Sequence, residues 1–249
     1  MGMINKPKML SWWIFAAIMF LICIVLQVPA AWLMAKFYPQ QQSLTNVSGN
    51  IWTGQADWNS GQLRGLVKWQ VRPLDFLRLR TAANVELHSG QTQLQGIMAY
   101  GLGKKLWMQD LNGEIAPETL KRLVDWQWPS NPLQLKDVSF MFKPQEGFTQ
   151  AQGQVDWAGG ELSYRYADHQ ERMNVPMLKA NLTANAGKLS LDGRDNRDQK
   201  MLNLALDHNM MLDIQITQRL LMQVPSYQGK AGLDTYVLTT RQAFMKGNN

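Results

Sequence analysis

The chain has 249 residues, of which 45% are apolar and 18% are charged, and its formal net charge is +6. The apolar share is too high for a disordered chain, and 19 glycines and 10 prolines are too few for a collagen-like or linker protein. One cysteine can neither close a disulfide within the chain nor build a cysteine-type zinc site. A mean hydropathy of −0.27 excludes a polytopic membrane protein.

The first predicted element is an apolar helix close to the N-terminus. The sequence carries no charged residue between Lys8 and Lys36, and the apolar centre of this stretch runs from Leu10 to Leu33. As a helix it would extend about 36 Å, which is enough to cross a hydrocarbon core of about 30 Å. Tryptophans near both ends are typical of the aromatic belts at membrane surfaces. The residues predicted to form this membrane anchor include Leu10, Trp12, Trp13, Phe20 and Leu33.

The charges around this helix predict its orientation. Lys6 and Lys8 precede it, so the positive-inside rule places the N-terminus in the cytoplasm and the rest of the chain across the membrane. A cleaved signal peptide is the alternative, but its apolar core usually has only about 7–15 residues. The predicted segments are a short cytoplasmic N-terminus at 1–9, a transmembrane signal-anchor helix at 10–34, a linker at 35–45 and a β-rich domain at 46–249.

Beyond residue 45 the dominant pattern is the alternation of apolar and polar residues that half-buried strands show. It is clearest at 63–71, 162–166, 178–184, 202–206 and 210–216. Turn signals separate these runs at short intervals, which favours hairpins and antiparallel pairing. We therefore predict an all-β domain, a mainly antiparallel curved sheet or half-barrel of about ten strands with one short helix, preceded by the single transmembrane helix. Alternation alone does not choose between a barrel, a sandwich and an open half-pipe.

Few segments of this domain depart from the strand pattern. The segment 116–123, with Pro117 at its first helical position, predicts a short helix, and Pro73 to Leu77 predicts a single turn. The phase of alternation changes between Leu135 and Val138, which predicts a bulge near Asp137.

Basic residues cluster early in the domain, at Arg64, Lys68, Arg72, Arg78 and Arg80. They are compatible with a solvated strand face, and the alternative is an orientation toward anionic lipid headgroups of the nearby membrane. The basic excess of the whole chain is mild and spread out, so it does not predict nucleic acid binding.

The sequence offers no constellation of residues that predicts catalysis, and we expect no catalytic, cofactor-binding or metal-binding residues. The three histidines, His88, His169 and His208, are far apart and have no histidine or cysteine neighbour at ligand spacing. Trp126 and Trp128 flank a glutamine before a proline, and this segment is a possible partner contact, with satellite core packing as the alternative.

Two segments, VSGNIWTGQA at 47–56 and LVKWQVRPL at 66–74, follow the patterns V-x-G-x-[LIV]-W-x-G-x-A and W-x-[LV]-x-P-L. In these patterns the chain resembles the N component of the bacterial type II secretion system, the GspN family, over about residues 44–90. Glycine leaves room for a tryptophan ring on a neighbouring strand, and proline ends a strand because it cannot donate to the ladder. We expect structural roles for the motif residues Gly49, Trp52, Gly54, Trp69, Pro73 and Leu74.

The resemblance implies a non-enzymatic accessory or structural component of the inner membrane that supports export of folded periplasmic proteins, with residues 46–249 in the periplasm. It implies contacts with other secretion components, namely the inner-membrane platform and the outer-membrane secretin, and with membrane lipid. Neither nucleic acid nor a small-molecule substrate is expected. Similar glycine–tryptophan strands occur in AsmA-like proteins, so the alternative is a lipid-binding or lipid-transfer module with an open apolar groove. An envelope hydrolase is a third possibility, for which the sequence offers no suitable spacing of residues.

Overall fold

The computed structural model describes residues 6–37, 43–123, 130–166 and 169–243. Four α-helices and one 3₁₀ helix are present in these ranges: α1 (Lys6–Gln27), α2 (Ala30–Phe37), the 3₁₀ helix (Pro73–Arg78), α3 (Pro117–Leu123) and α4 (Gln218–Leu221). The strands in the same ranges are β1 (Leu44–Gly49), β2 (Thr53–Ser60), β3 (Leu63–Val71), β4 (Arg80–Ser89), β5 (Thr92–Gly101), β6 (Lys105–Ile115), β7 (Leu133–Lys143), β8 (Gly147–Trp157), β9 (Gly160–Tyr166), β10 (His169–Val175), β11 (Leu178–Asn185), β12 (Lys188–Arg194), β13 (Lys200–Leu206), β14 (Met211–Thr217) and β15 (Tyr236–Ala243).

The strands form one long antiparallel sheet and one small hairpin. Thirteen strands lie side by side in the order of the sequence from β1 to β15, except that β8 pairs with β11. The two strands between them, β9 and β10, form a separate hairpin. In the described part of the chain β1 and β15 pair with one neighbour each, so the sheet is open.

This architecture confirms the mainly antiparallel sheet with a short helix and corrects the number of strands. The described residues form fifteen strands, whereas about ten were expected. The alternation pattern did not predict the additional strands because bulges interrupt it. Examples are the bulges between Gln95 and Ile97 in β5 and between Met108 and Leu111 in β6. The short helix at 117–123 and the turn that begins at Pro73 are confirmed.

The bulge predicted near Asp137 is present and faces a second bulge in β6. The pairing of β7 shifts between Lys136 and Ser139, and Asp137 has a left-handed backbone with φ 49°. Side chains of neighbouring residues accept hydrogen bonds from the backbone N–H groups that the bulges leave unpaired. Asn112 Oδ1 accepts from the Asp137 N–H at 2.9 Å. Ser139 Oγ likewise accepts from the Asp110 N–H at 2.9 Å. These two N–H groups of the bulges are therefore hydrogen-bonded within the sheet.

The apolar N-terminal segment forms two helices, where one helix over 10–34 was expected. The helix α1 ends at Gln27, and α2 begins at Ala30, which leaves Leu33 in α2. The break falls at Val28–Pro29 because proline lacks an N–H and disfavours helical backbone in the residue before it. Among the residues that the structure describes, no helix combines the length and the apolarity that crossing a membrane requires.

The main buried cluster lies against the C-terminal strands of the sheet, far along the strand order from the α1–α2 break. Its fully buried members are Val175, Leu178, Met201 and Leu220, which come from β10, β11, β13 and α4. The hairpin β9–β10 and the short α4 thus cover one face of the C-terminal half of the sheet. Thr217 fixes the start of α4, because its hydroxyl donates to the carbonyl of Met201 at 2.9 Å and accepts from the Leu220 N–H.

Candidate functional site

The helix–sheet junction is formed by the α1–α2 break and the β1–β2 turn. The Ile51 N–H donates to the Val28 carbonyl at 3.1 Å, and Pro29 forms an isolated bridge with Asn50. The Trp52 indole N–H donates to the Val25 carbonyl at 3.0 Å. That carbonyl would normally accept from the residue four places on, which is Pro29 and has no N–H to give. Trp52 therefore supplies the hydrogen bond that the proline removes from α1.

The motif glycines shape the strands on which Trp52 is carried. Gly49 has φ +89°, and a Cβ there would lie 2.5 Å from the Thr53 carbonyl oxygen. Gly54 stands opposite Trp69 in the β2–β3 pair, and a Cβ at Gly54 would lie 2.4 Å from the Trp69 ring. Asn50 Oδ1 closes the turn by accepting from the Trp52 and Thr53 backbone N–H groups at 3.0 and 2.8 Å.

The 3₁₀ helix lies beside the junction and begins at the motif residue Pro73. Its Phe76 ring meets Trp52 edge-on, with 6.1 Å between the ring centroids. Pro73 lies two residues after Val71, the last residue of β3. The side chain of Leu74 is 78% exposed. The motif residues Gly49, Gly54 and Trp69 line an open cleft of about 480 Å³ on the strands β1 to β4, whereas Trp52 ties α1, the β1–β2 turn and the 3₁₀ helix together.

A buried carboxylate holds the 3₁₀ helix in place. Asp75 is 4% exposed and accepts from Arg80 Nε at 2.8 Å, while Arg80 Nη2 lies 2.6 Å from the same oxygen. Arg72 Nε lies 3.3 Å from its other oxygen, and Arg78 lies at 3.9 Å. The hydrogen bond from Arg80 lowers the pKa of Asp75 below its ordinary value, and burial opposes this effect. Asp75 therefore stays ionised and orients three guanidinium groups.

An apolar cavity of about 260 Å³ lies on one face of the C-terminal half of the sheet. The sheet strands β7, β8 and β11 to β14 form its floor, and residues of β9, β10 and α4 cover part of it. The sixteen lining residues whose side chains the structure describes are all apolar or glycine, and none of them is titratable. Leu204 and Ile214 face each other across β13 and β14 on its floor. It can therefore accept an apolar guest, and its described lining offers no group for acid–base or nucleophilic chemistry.

The two edges of the long sheet differ in how they are protected. In β1 the backbone bulges between Thr45 and Ser48, and Asn46 has φ 50°. Such a bulge hinders the addition of another strand. In β15 the pairing with β14 is regular from Leu238 onward, and most of its side chains are exposed. Arg241 anchors β15 by contacts with Asp207 and Asp213. The outer side of β15 is thus a regular strand edge.

The described residues contain no group of three or more histidine, cysteine, aspartate or glutamate side chains that could hold a metal ion. Trp126 and Trp128 lie outside the described residues. Two residues of the junction were not singled out from the sequence, namely Asp75 and Phe76. For Asp75 the flanking Arg72 and Arg78, each three residues away, are the signal that could have been used.

One family matches the β1–β2 turn, the 3₁₀ helix and most of the sheet, and the match begins after α1 and α2. Residues 40–220 match the family described as "Type II secretion system (T2SS), protein N". No curated protein and no solved structure shows significant similarity to the chain. The family match covers well over half of the chain and includes both motif segments. The chain belongs to the family of type II secretion system protein N.

Proposed function

We propose that the protein is an accessory, non-enzymatic component of the secretion apparatus, anchored in the inner membrane and acting in the periplasm through protein contacts. Family membership makes it a type II secretion component that works with other components of that system. The anchoring helix is α1, and the sheet is the part that meets its partners. The observation that carries the contact proposal is the regular, exposed edge of β15.

The surface of α1 supports the anchoring proposal. Its described side chains carry no charge, and large apolar groups are exposed on all sides. Trp12 is 72% exposed and Phe20 is 67% exposed. A helix that is apolar all round needs apolar surroundings, which a bilayer provides. The lysines before the apolar stretch favour a cytoplasmic N-terminus.

The edge of β15 supports docking by strand addition. A regular edge strand presents unpaired backbone N–H and C=O groups, which an extended segment of another protein can pair with. The residues from Val237 to Thr240 are exposed and uncharged, so they do not repel an added strand. We propose that the partner is an extended segment of another inner-membrane or secretin component. Because β15 follows residues 40–220, this contact belongs to the part of the chain beyond the family match.

Site-specific photo-crosslinking in cells that carry the secretion system tests this contact. A photoreactive phenylalanine analogue at Thr239 is expected to give a crosslink to another secretion component, identified by mass spectrometry. The control position is Thr183, an exposed threonine of the inner strand β11. Crosslinks of equal yield at both positions, or none at Thr239 in actively secreting cells, would contradict docking at this edge.

The apolar cavity favours a second candidate function, the binding of an acyl chain as in a lipid-handling module. At about 260 Å³ it exceeds the engineered apolar cavities of about 150 Å³ that stay dry and bind benzene. Its apolar lining would accept the hydrocarbon part of a lipid and offer nothing to its headgroup. The cover made by β9, β10 and α4 leaves the cavity partly open, so an acyl chain can reach the apolar lining.

Labelling with a photoreactive fatty acid separates the two candidates. If the cavity binds acyl chains, adducts map to peptides of β13 and β14, and filling the cavity by Leu204→Trp reduces their yield. The control is Ala205→Trp, because successive residues of a strand point to opposite faces. Labelling spread evenly over the exposed apolar surface, and equal in both variants, would exclude the lipid candidate.

A further inference from the structure

We propose that the end of the sheet next to α1 docks on the anionic surface of the membrane through exposed leucines of the 3₁₀ helix and of the β5–β6 turn. This inference rests on the proposed anchoring of α1 in the inner membrane. It adds a second membrane contact, which would fix the orientation of the sheet relative to the bilayer.

The leucines at the end of the sheet next to α1 are far more exposed than apolar side chains in a stable core. Leu77 is 84% exposed, and Leu79 and Leu102 are 69% and 70% exposed. Leu74 and Leu77 are three residues apart, which places them on the same side of a 3₁₀ helix. Leu102 lies in the β5–β6 turn, whose strand β5 pairs with β4, the strand that follows the 3₁₀ helix. These leucines thus form an apolar patch on neighbouring connections of one sheet end.

The backbone that presents the leucines is held in one conformation. Leu79 has φ 55° and ψ 36°, a left-handed conformation that leucine rarely adopts. Its N–H donates to the Phe76 carbonyl at 3.0 Å. Asp75 fixes the turn from within through its contacts with Arg80 and Arg72. An unfavourable residue conformation that exposes an apolar side chain indicates a functional use of that side chain.

Basic side chains flank the patch and complement an anionic surface. Arg72 precedes the 3₁₀ helix, Arg78 ends it and the largely buried Arg80 follows it, and the one carboxylate among them is the buried Asp75. Three positive charges against one negative charge leave an excess of two. Near Leu102, the β5–β6 turn adds Lys104 and the start of β6 adds Lys105. Apolar groups ringed by cations are the composition of surfaces that insert into the headgroup region of anionic membranes.

The position of the patch selects the membrane as its occupant over a protein partner. The Trp52 indole bonds to a carbonyl of the last turn of α1 and packs against Phe76 of the 3₁₀ helix. Through this one side chain, the patch is tied to the point where α1 would leave the hydrocarbon core. The headgroup region is roughly 5–8 Å thick on each side, so leucines at this point are within its reach.

At the opposite ends of these strands, the β2–β3 and β4–β5 turns carry no apolar side chain. The β2–β3 turn consists of Gly61 and Gln62, and the β4–β5 turn consists of Gly90 and Gln91. The strand β3 separates Gln62 from the 3₁₀ helix by about 30 Å at about 3.4 Å per residue. Gln62 is exposed and is therefore a matched control position for a probe at Leu77.

Fluorescence quenching in the reconstituted full chain tests the proposal. A polarity-sensitive fluorophore is attached to the native Cys23 in α1, or, in a Cys23→Ser background, to cysteine in Leu77→Cys or Gln62→Cys. The chain is inserted into vesicles of phosphatidylethanolamine and phosphatidylglycerol that contain lipids with a quencher at the top of the acyl chain. We expect loss of fluorescence at positions 23 and 77 and none at 62. We also expect the loss at 77 to diminish when phosphatidylcholine replaces the anionic lipid.

The three probe positions separate failure of the docking from failure of the anchoring. Quenching at 23 without quenching at 77 would overturn the docking and leave the leucines to a protein contact, while the anchoring proposal stands. Absence of quenching at both positions would overturn both proposals. Equal quenching at 77 and 62 would also overturn the docking, because it would mean that the sheet lies on the membrane without a preferred end.

Discussion

Replacing Ile214 with alanine is expected to lower the free energy of unfolding by about 2–5 kcal/mol. Ile214 is 2% exposed and is among the most deeply buried large side chains of the described residues. It lies between Leu204 of β13 and Thr240 of β15, on the floor of the apolar cavity. Removing its side chain deletes buried apolar contacts and enlarges a space that the sheet backbone prevents from collapsing.

Urea denaturation of the full chain in detergent, followed by tryptophan fluorescence, measures this loss as a lower midpoint with an unchanged slope. The control is Leu238→Ala on the neighbouring strand β15, where the side chain is 44% exposed. We expect the control to cost less than about 1 kcal/mol, since most surface substitutions change stability by about 0.5 kcal/mol or less. Equal losses in both variants would show that the cavity floor contributes no more to stability than the sheet edge.

Replacing Gly54 with alanine is expected to cost about 1–3 kcal/mol, although it adds only one methyl group. The added Cβ would lie 2.4 Å from the Trp69 ring and 2.6 Å from the Ser48 carbonyl oxygen. Either the ring or β1 must move, and both lie against the β1–β2 turn that carries Trp52. We therefore expect the helix–sheet junction to loosen together with the sheet edge.

The same denaturation experiment measures the loss of stability in Gly54→Ala. The matched control is Gly232→Ala, because the heavy atom nearest to a Cβ at position 232 would be the Thr235 hydroxyl oxygen at 3.2 Å. If contact with the ring is the cause, combining Gly54→Ala with Trp69→Leu gives a smaller loss than the sum of the two single variants. An additive result would assign the cost to the Ser48 backbone contact and not to the tryptophan.

The sequence predicts this fold best where a strand has one wet face and no bulge. The strand β3 coincides with the predicted run from Leu63 to Val71, and β11 contains the predicted run from Leu178 to Ala184. In β6 the alternation is lost because the backbone bulges near Asp110, where φ is 52°. A bulge inverts the side-chain phase, so a period-2 pattern cannot be followed through it.

The candidate site was only partly predictable because its contacts join distant segments. The motif identified Trp52 and Gly54, but no spacing rule relates Trp52 to Val25, which lies 27 residues away. Pro29 marks a helix break in the sequence, yet the donor that replaces its missing N–H is defined only by the folded chain. The apolar cavity likewise depends on how the β9–β10 hairpin covers the sheet, which alternation does not specify.

The neighbour-to-neighbour order of the strands has a consequence for how the protein is made. In the long sheet each strand pairs with the strand before it in the chain, and only the β9–β10 hairpin interrupts this succession. Strands can therefore join the growing sheet one at a time as the chain emerges, without waiting for a distant segment to complete them. The first strands to emerge are those that fasten onto α1. A hairpin gained or lost near β15 during evolution would lengthen or shorten the sheet and leave that attachment unchanged.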